Sequence, residues 1–208
     1  MESECKLSFF DFEFELMQDP KSNDLGTTVW DCSIVLCKWL ENHRNKRGIF
    51  QQKQMSGKRV LELGAGTGLL GLVLAKMGCH VTLTDLDAMV PLLQTNVDVN
   101  KIRMKSQGFN YGSAQVKTLQ WGNKEHIESL SDSYAFIFGS DCIYEESVLP
   151  VLFETVLKCS SKKTVIVFAN EKRNISIHER FIQLSDQLNF HVKIIPRTPE
   201  IDIFIMRQ

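Results

Sequence analysis

A short apolar run followed by closely spaced glycines is the feature around which the predicted elements are arranged. Residues 60–63 are interpreted as a buried strand, and the turn over residues 64–68 has glycine at every second position. A largely apolar helix over residues 69–77 follows, and a second strand over residues 81–84 ends at Asp85. This succession is half of a βαβ unit, in which the glycines let a ligand approach the backbone closely.

The remaining hydrophobic pattern predicts alternating helices and strands along the chain. The predicted elements are a helix over 33–41, a solvated connection over 43–58, a helix over 88–100, a loop insertion over 101–113, strands over 115–119 and 135–139, a helix over 147–159, a strand over 164–169, a helix over 176–188, and strands over 191–195 and 201–206. The link between the last two strands is too short for a parallel crossover and favours a hairpin. The predicted fold is therefore α/β, a mostly parallel sheet with one antiparallel strand near its edge and helices on both faces.

The N-terminal residues have a different period. Over residues 7–16 apolar and polar side chains alternate, which predicts one strand with a buried face that includes Phe12 and Phe14. Glu13 and Glu15 fall on the opposite face. That acidic face is either a solvated surface or a surface for a basic partner.

Length and composition place these elements in one domain. At 208 residues and 43% hydrophobic content the chain can bury a full core, so we expect one domain over residues 1–208, with residues 1–24 as an N-terminal β extension. The formal net charge of −1 provides no general attraction for nucleic acid or an anionic membrane. No apolar run approaches the roughly 20 residues of a membrane span, and the N-terminus does not resemble a secretory signal.

The six cysteines are scattered, with no C-x-x-C pair and no zinc-type spacing to histidine. They indicate reduced thiols in an intracellular protein, in the cytoplasm or the nucleus, and no metal is expected. Since no exposed apolar stripe is evident, a monomer is the default expectation.

The glycine-rich turn leaves the kind of nucleotide open when it is considered by itself. Gly66, Gly68 and Gly71 satisfy the dinucleotide pattern G-x-G-x-x-G, which is a weak signal without its context. Glu62, at the end of the preceding strand, would repel a pyrophosphate and suits a ligand with positive charge at that point. Asp85 lies where a carboxylate meets ribose hydroxyls in nucleotide-binding α/β folds.

The stretch from Glu62 to Gly68 resembles the first motif of the seven-strand S-adenosylmethionine (AdoMet) methyltransferases. Further motifs make the resemblance more specific, namely Val29-Trp30-Asp31 before the first helix, Thr84-Asp85, Trp121-Gly122 after the third strand, and Asp141-Cys142-Ile143-Tyr144 after the fourth. Together they resemble the family-16 protein-lysine methyltransferases from about residue 25 to the C-terminus. That family implies a Rossmann-like seven-strand sheet and methylation of chaperones, AAA ATPases or elongation factors.

The resemblance also implies a set of site residues. The implied AdoMet-binding residues are Trp30, Glu62, Gly64, Ala65, Gly66, Asp85, Trp121 and Ser140. Asp141 and Tyr144 are implied to line the lysine site, and Glu171 and Arg173 are further candidates for shaping the substrate channel. Ser140 departs from the alanine of many members, and Asp31 is expected to cap the first helix.

Three other functions remain to be weighed. A nucleic-acid amino-methyltransferase would share the fold, but the segment from Asp141 to Tyr144 lacks the prolines of the usual Asn-Pro-Pro-Tyr motif, and the chain lacks a basic, aromatic-rich surface. A nicotinamide oxidoreductase is disfavoured by Glu62, by the early Gly64 and by the lack of a substrate domain. A catalytically inactive interaction module is disfavoured by the intact acidic and tyrosine positions.

Overall fold

The computed structural model describes residues 3–22, 24–130 and 133–208, so residues 1, 2 and 23 of the predicted N-terminal extension lie outside it. The nine strands of this part of the chain are β1 (Ser3–Phe9), β2 (Phe12–Gln18), β3 (Arg59–Leu63), β4 (His80–Asp85), β5 (Ser113–Thr118), β6 (Phe136–Ser140), β7 (Val165–Glu171), β8 (His191–Pro196) and β9 (Ile201–Arg207). The α-helices are α1 (Asp31–His43), α2 (Gln52–Met55), α3 (Leu69–Lys76), α4 (Val90–Ser106), α5 (Lys124–Glu128), α6 (Leu149–Cys159) and α7 (Ile175–Gln187).

Seven of the strands form one sheet in the order β5-β4-β3-β6-β7-β9-β8. All neighbouring pairs are parallel except those of β9, which is antiparallel to both β7 and β8. The predicted fold, with its single antiparallel strand near the edge, is therefore confirmed. The chain moves outward from β3 to β5 and then returns to place β6 on the other side of β3, which creates a switch point where open sheets bind ligands.

Both faces of the sheet are covered. Along β7, Val165 and Val167 pack into the core beneath α1 and α3, whereas Ile166 and Phe168 pack into a second core with α6 and α7. Strands buried on both faces explain the nearly continuous apolar runs of the sequence.

Helix α3 packs closely against the sheet, and every one of its residues is buried. A methyl group added at Gly71 would overlap the side chains of Leu83 and Glu62, so glycine is required for this approach. The glycine-rich turn and α3 are thereby held against β3 and β4.

The predicted single strand over residues 7–16 is wrong, because the chain reverses within it. Phe10 and Asp11 adopt left-handed φ values of 53° and 61°, and β1 and β2 pair as an antiparallel hairpin on either side of them. The predicted faces are confirmed, since Phe12 and Phe14 are buried and Glu13 is exposed. The alternation continues through the turn, so the hydrophobic pattern alone does not reveal the reversal.

Helix α4 extends to Ser106, beyond the predicted end at residue 100, so half of the predicted loop insertion is helical. Asn96 and Asn100 explain the difference, because they face β2 and hydrogen-bond its backbone in place of another strand. The amide groups of Met17 and Glu15 donate to Asn96 Oδ1 (2.8 Å) and Asn100 Oδ1 (3.0 Å), and both asparagine Nδ2 groups donate back to the same residues. Asn96 also donates to the Thr67 carbonyl at 2.9 Å, which links the hairpin to the glycine-rich turn.

The prediction of a solvated connection over residues 43–58 is only partly right. The connection contains α2, and Phe50 and Met55 are buried. Helix α5 was also not predicted. Within residues 3–22, 24–130 and 133–208, no helix has the combination of length and apolarity that a membrane crossing needs.

Candidate active site

A cavity of about 480 Å³ opens at the carboxyl ends of β3, β4 and β6. Every residue predicted for the AdoMet or lysine site except Glu62 lines it, and of the two further candidates Arg173 lines it and Glu171 does not. The lining includes Trp30, Gly64, Ala65, Gly66, Asp85, Leu86, Met89, Trp121, Ser140, Asp141, Tyr144 and Arg173. The volume is in the range of small-molecule sites.

Asp85 is fixed by two backbone N–H groups, one in the turn after β3 and one directly after β4. Its Oδ2 accepts a hydrogen bond from the Gly66 N–H and its Oδ1 one from the Leu86 N–H, each at 2.7 Å. Burial raises the pKa of this carboxyl group, and the two hydrogen bonds oppose the rise. Each oxygen retains a free lone pair that can accept from a ligand hydroxyl.

The glycine-rich turn lies between a tryptophan and the N-terminal segment. A methyl group at Gly64 would meet Cys142 Sγ at 3.3 Å and the Trp121 ring at 3.4 Å, and one at Gly66 would lie 3.0 Å from the Gly26 carbonyl oxygen. Both glycines have left-handed φ values, 61° and 53°. A side chain at either position would therefore crowd these neighbours, and the turn itself lines the cavity beside the Trp121 indole ring.

Glu62 is the one predicted AdoMet-binding residue that does not line the cavity. It is only 1% exposed and points toward α3, where neither carboxyl oxygen has a hydrogen-bond partner among the described residues. Burial, followed by the charge of Asp85, raises the pKa of Glu62 well above its ordinary value; the Gly71 N–H opposes this shift without reaching hydrogen-bond geometry. Side chains alternate along β3, and this one faces the helix. The contact of Glu62 with a positively charged ligand therefore stays a prediction.

Trp30, and not Asp31 as predicted, is the residue that precedes the first helix, and no side chain caps that helix. The Trp30 indole N–H donates to the Leu25 carbonyl at 2.8 Å, which fixes the ring at the edge of the cavity. Its face is covered by the guanidinium group of Arg173, whose central carbon lies 4.8 Å from the ring centroid.

Asp141 projects from the end of β6 in an uncommon backbone conformation, with a φ of 59°. Its N–H donates to the Ala169 carbonyl at 2.8 Å, and its side chain is only 5% exposed. Oδ1 accepts from the Cys32 thiol at 3.6 Å and Oδ2 accepts from Arg173 Nη2 at 2.6 Å. Among residues 3–22, 24–130 and 133–208 the carboxylate accepts from these two side chains and caps no helix, and it faces the cavity.

The segment that joins Asp141 to Tyr144 is held by a buried residue that sequence reasoning missed. Asn170, in β7, accepts from the Ile143 N–H at 2.8 Å and donates to the Ile143 carbonyl at 2.9 Å. Tyr144 is 43% exposed at the cavity mouth, and partial burial raises the pKa of its hydroxyl. A polar residue inside an apolar strand is the signal that would have drawn attention to Asn170.

Of the two further candidates, Arg173 lines the cavity, and Glu171 lies outside its lining but pairs with Arg173. Arg173 Nη2 lies 2.7 Å from Glu171 Oε2 as well as 2.6 Å from Asp141 Oδ2. The guanidinium group thus connects the ends of β6 and β7.

Comparisons with known proteins identify the family of the chain. A family model described as lysine methyltransferase matches residues 11–187. Protein N-lysine methyltransferase METTL21A of Xenopus tropicalis is 34% identical over 206 residues, which cover 99% of this chain and 87% of the relative. EEF1A lysine methyltransferase 3 of Mus musculus is 31% identical over 183 residues, which cover 88% of this chain and 72% of the relative.

Solved structures support the fold alone. The T. Thermophilus 16S rRNA methyltransferase RsmC, in complex with AdoMet and guanosine, has a TM-score of 0.64 at 16% identity, with all of this chain and 50% of that chain covered. A SAM-dependent methyltransferase from Agrobacterium tumefaciens has a TM-score of 0.59 at 17% identity, with 99% and 70% covered.

Proposed function

Because the chain belongs to the lysine methyltransferase family, we propose that its cavity brings AdoMet together with the ε-amine of a lysine in a protein substrate. The membership confirms the activity expected from the sequence, AdoMet-dependent methylation of protein lysine. The observation that carries the site assignment is that the glycine-rich turn and Asp85 line the same cavity as Asp141 and Tyr144.

The residues on one side of the cavity fit AdoMet. Asp85 offers free lone pairs to the ribose hydroxyls. Leu86, Met89 and Trp121 provide apolar surface for the adenine, and the turn from Gly64 to Gly66 lines the cavity where the methionine portion would lie. Ala65, Trp30 and Ser140 complete this side. When bound, AdoMet supplies an electrophilic methyl group on a sulfonium and leaves as S-adenosyl-L-homocysteine.

Asp141 and Tyr144 form the proposed lysine side. A free lysine has a pKa near 10.4, so its deprotonation at neutral pH costs roughly 4–5 kcal/mol. Burial in the cavity lowers this cost by disfavouring the ammonium form, whereas Asp141 raises it by stabilising the charge. We therefore assign Asp141 to capture and orientation of the lysine, Tyr144 to contact with the amine through its hydroxyl or ring, and loss of the proton to water. Most of the rate gain comes from alignment of the amine with the methyl group.

The proposed substrate is a folded protein of the elongation-factor, chaperone or AAA ATPase type. The name of the relative EEF1A lysine methyltransferase 3 supports the first of these. The net charge of −1 and the absence of the Asn-Pro-Pro-Tyr motif give nucleic acid no comparable support.

The remaining proposals concern the whole chain. One methyltransferase domain over residues 1–208 is supported by the asparagine hydrogen bonds that join the hairpin to α4. A cytoplasmic location is supported by six cysteines that are all free. A monomer is the simplest state, and sedimentation velocity tests it.

The activity is tested by incubating the protein with radiolabelled AdoMet and a cell lysate. We expect label on a discrete protein band that protease removes and nuclease does not. Label that nuclease removes would overturn the proposal in favour of a nucleic-acid acceptor, and heat-inactivated enzyme is the control.

A further inference from the structure

A cation-binding subsite at the cavity mouth is already filled by a residue of the chain itself. The subsite consists of the carboxylates of Asp141 and Glu171 and the indole face of Trp30. Two carboxylates beside an aromatic face are the chemistry that recognises an organic cation. The occupant is the guanidinium group of Arg173, at 2.6 and 2.7 Å from the two carboxylates and 4.8 Å from the ring centroid.

We propose, on the premise of the function given above, that Arg173 is an internal stand-in for the substrate ammonium group and leaves Asp141 when a lysine binds. Before substrate arrives, the guanidinium group neutralises the nearly buried Asp141. The incoming lysine takes its place at Asp141 Oδ2, and Arg173 keeps its second partner, Glu171.

The geometry makes the arginine the partner that moves. Arg173 lies in the loop between β7 and α7 and is 43% exposed, whereas Asp141 is 5% exposed and its N–H is bonded to the Ala169 carbonyl. Both ion pairs of Arg173 use the same nitrogen, Nη2, so Asp141 does not have the two-pronged pairing that makes arginine–carboxylate contacts strong. Glu171, half-buried at the same edge, keeps the displaced cation paired.

The exchange has a consequence for selectivity. Any lysine that enters must replace a cation that is tethered to the chain, so the ammonium group alone gains little from the site. The rest of the substrate surface must supply the surplus, which favours a specific protein over small amines.

The test uses n-butylammonium as a probe of the subsite, with the full-length protein saturated with S-adenosylhomocysteine at constant chloride concentration. Binding is followed by the ¹⁵N-indole signal of Trp30, and the buried Trp39 provides an internal reference. We expect the dissociation constant of n-butylammonium to be about tenfold lower in Arg173→Gln than in the wild type, since a charge-assisted competitor is removed. The uncharged n-butanol should bind both proteins equally.

Arg180→Gln is the matched control. Arg180 is 39% exposed, and its Nε lies 3.7 Å from Glu146 Oε1. Its replacement changes the net charge by the same amount, but the residue does not line the cavity. The dissociation constant of n-butylammonium for the Arg180→Gln protein should stay within about twofold of the wild-type value. Equal or weaker binding by Arg173→Gln, relative to the wild type, would overturn the proposal and make the arginine a fixed support of Asp141.

Two further measurements keep the result interpretable. Arg173→Ala should behave like Arg173→Gln, and the affinity of both variants for S-adenosylhomocysteine verifies that the cavity is intact. The lysate assay separates the two proposals: protein label without an Arg173 effect refutes the exchange alone, and an Arg173 effect without protein label refutes the lysine activity alone.

Discussion

Two carboxylates of the cavity, Asp85 and Asp141, are held in opposite ways. Asp85 is bonded by the backbone N–H groups of Gly66 and Leu86, which cannot leave without unfolding the turn. Asp141 is bonded by the side chains of Cys32, which is buried, and Arg173, whose partly exposed guanidinium group can rotate away. The difference indicates a permanent anchor on the AdoMet side and an exchangeable contact on the lysine side.

The same difference extends to sequence distance. Asp85 and Gly66 are 19 residues apart within one βαβ half, whereas Cys32 lies 109 residues from Asp141. A local motif therefore fixes Asp85, while the partners of Asp141 come from a separate strand end and the start of α1. The predictions below are designed to separate these two sides.

Asp141→Asn should have the largest effect on methylation. The amide keeps the shape and can accept a hydrogen bond, but it cannot pair with an ammonium group. We expect the rate of lysine methylation to fall by about 10²-fold or more, on the scale of roughly 2.7–4 kcal/mol for one preorganised electrostatic contact. Affinity for AdoMet, measured by calorimetry, should change little because Asp85 is intact.

Tyr144→Phe refines that result, because it removes the hydroxyl and keeps the ring. A large loss of rate assigns the contact to the hydroxyl, and a small one assigns it to the ring. A folded Asp141→Asn protein that methylates at the normal rate would contradict the division of the cavity into two sides.

Asp85→Ala should weaken AdoMet binding by about tenfold or more, since a charge-assisted hydrogen bond contributes roughly 1.5–3 kcal/mol. The melting temperature should also fall, because the N–H groups of Gly66 and Leu86 lose their acceptor. Calorimetry measures the affinity and thermal unfolding the melting temperature. Asp85→Asn, which retains one acceptor oxygen, should give values between those of the wild type and Asp85→Ala. Unchanged affinity would place the adenosine elsewhere.

Trp121→Ala should remove much of the tryptophan fluorescence quench that AdoMet causes. The ring lies against the turn at Gly64 and offers a flat surface to adenine. Trp30→Ala is the comparison, because Trp30 also borders the cavity on the side of Asp141. A quench that survives both substitutions would remove both rings from the AdoMet site.

Glu62→Gln should have the smallest effect, and it should appear mainly in the pH dependence of stability. Because the pKa of Glu62 is raised in the folded protein, the native state keeps a proton that the unfolded chain releases above about pH 4.3. Stability therefore falls as pH rises from that value toward the native pKa. The variant should lack this contribution. The test compares melting temperature against pH for the two proteins, and parallel curves would contradict a raised pKa of Glu62.

Much of the fold could be predicted because its signals are local and periodic. The buried strand, the glycine-rich turn and α3 follow from one continuous stretch, and the terminal hairpin follows from a five-residue link. The reversal at Phe10 and Asp11 could not be predicted, since neither is a glycine and the alternation continues through them. The length of α4 depends on Asn100, which sits inside the helix only because β2 accepts and donates to its side chain.

The candidate site divides in the same manner. Asp85 follows from its motif, and the resemblance places Asp141 and Tyr144. The contacts of Arg173 depend on the adjacency of β6 and β7, which no local pattern encodes. The orientation of Glu62 depends on the register of β3, where a shift of one residue would turn its side chain to the opposite face.

The asparagine link between β2 and α4 also affects the order in which the nascent chain can become complete. Met17 and Glu15 leave the ribosome 79 and 85 residues before their partners Asn96 and Asn100. At roughly 5–20 residues per second, the hairpin waits about 4–17 seconds for its support. A two-stranded hairpin is only marginally stable in water. The first segment to be synthesised is therefore among the last to become stably folded.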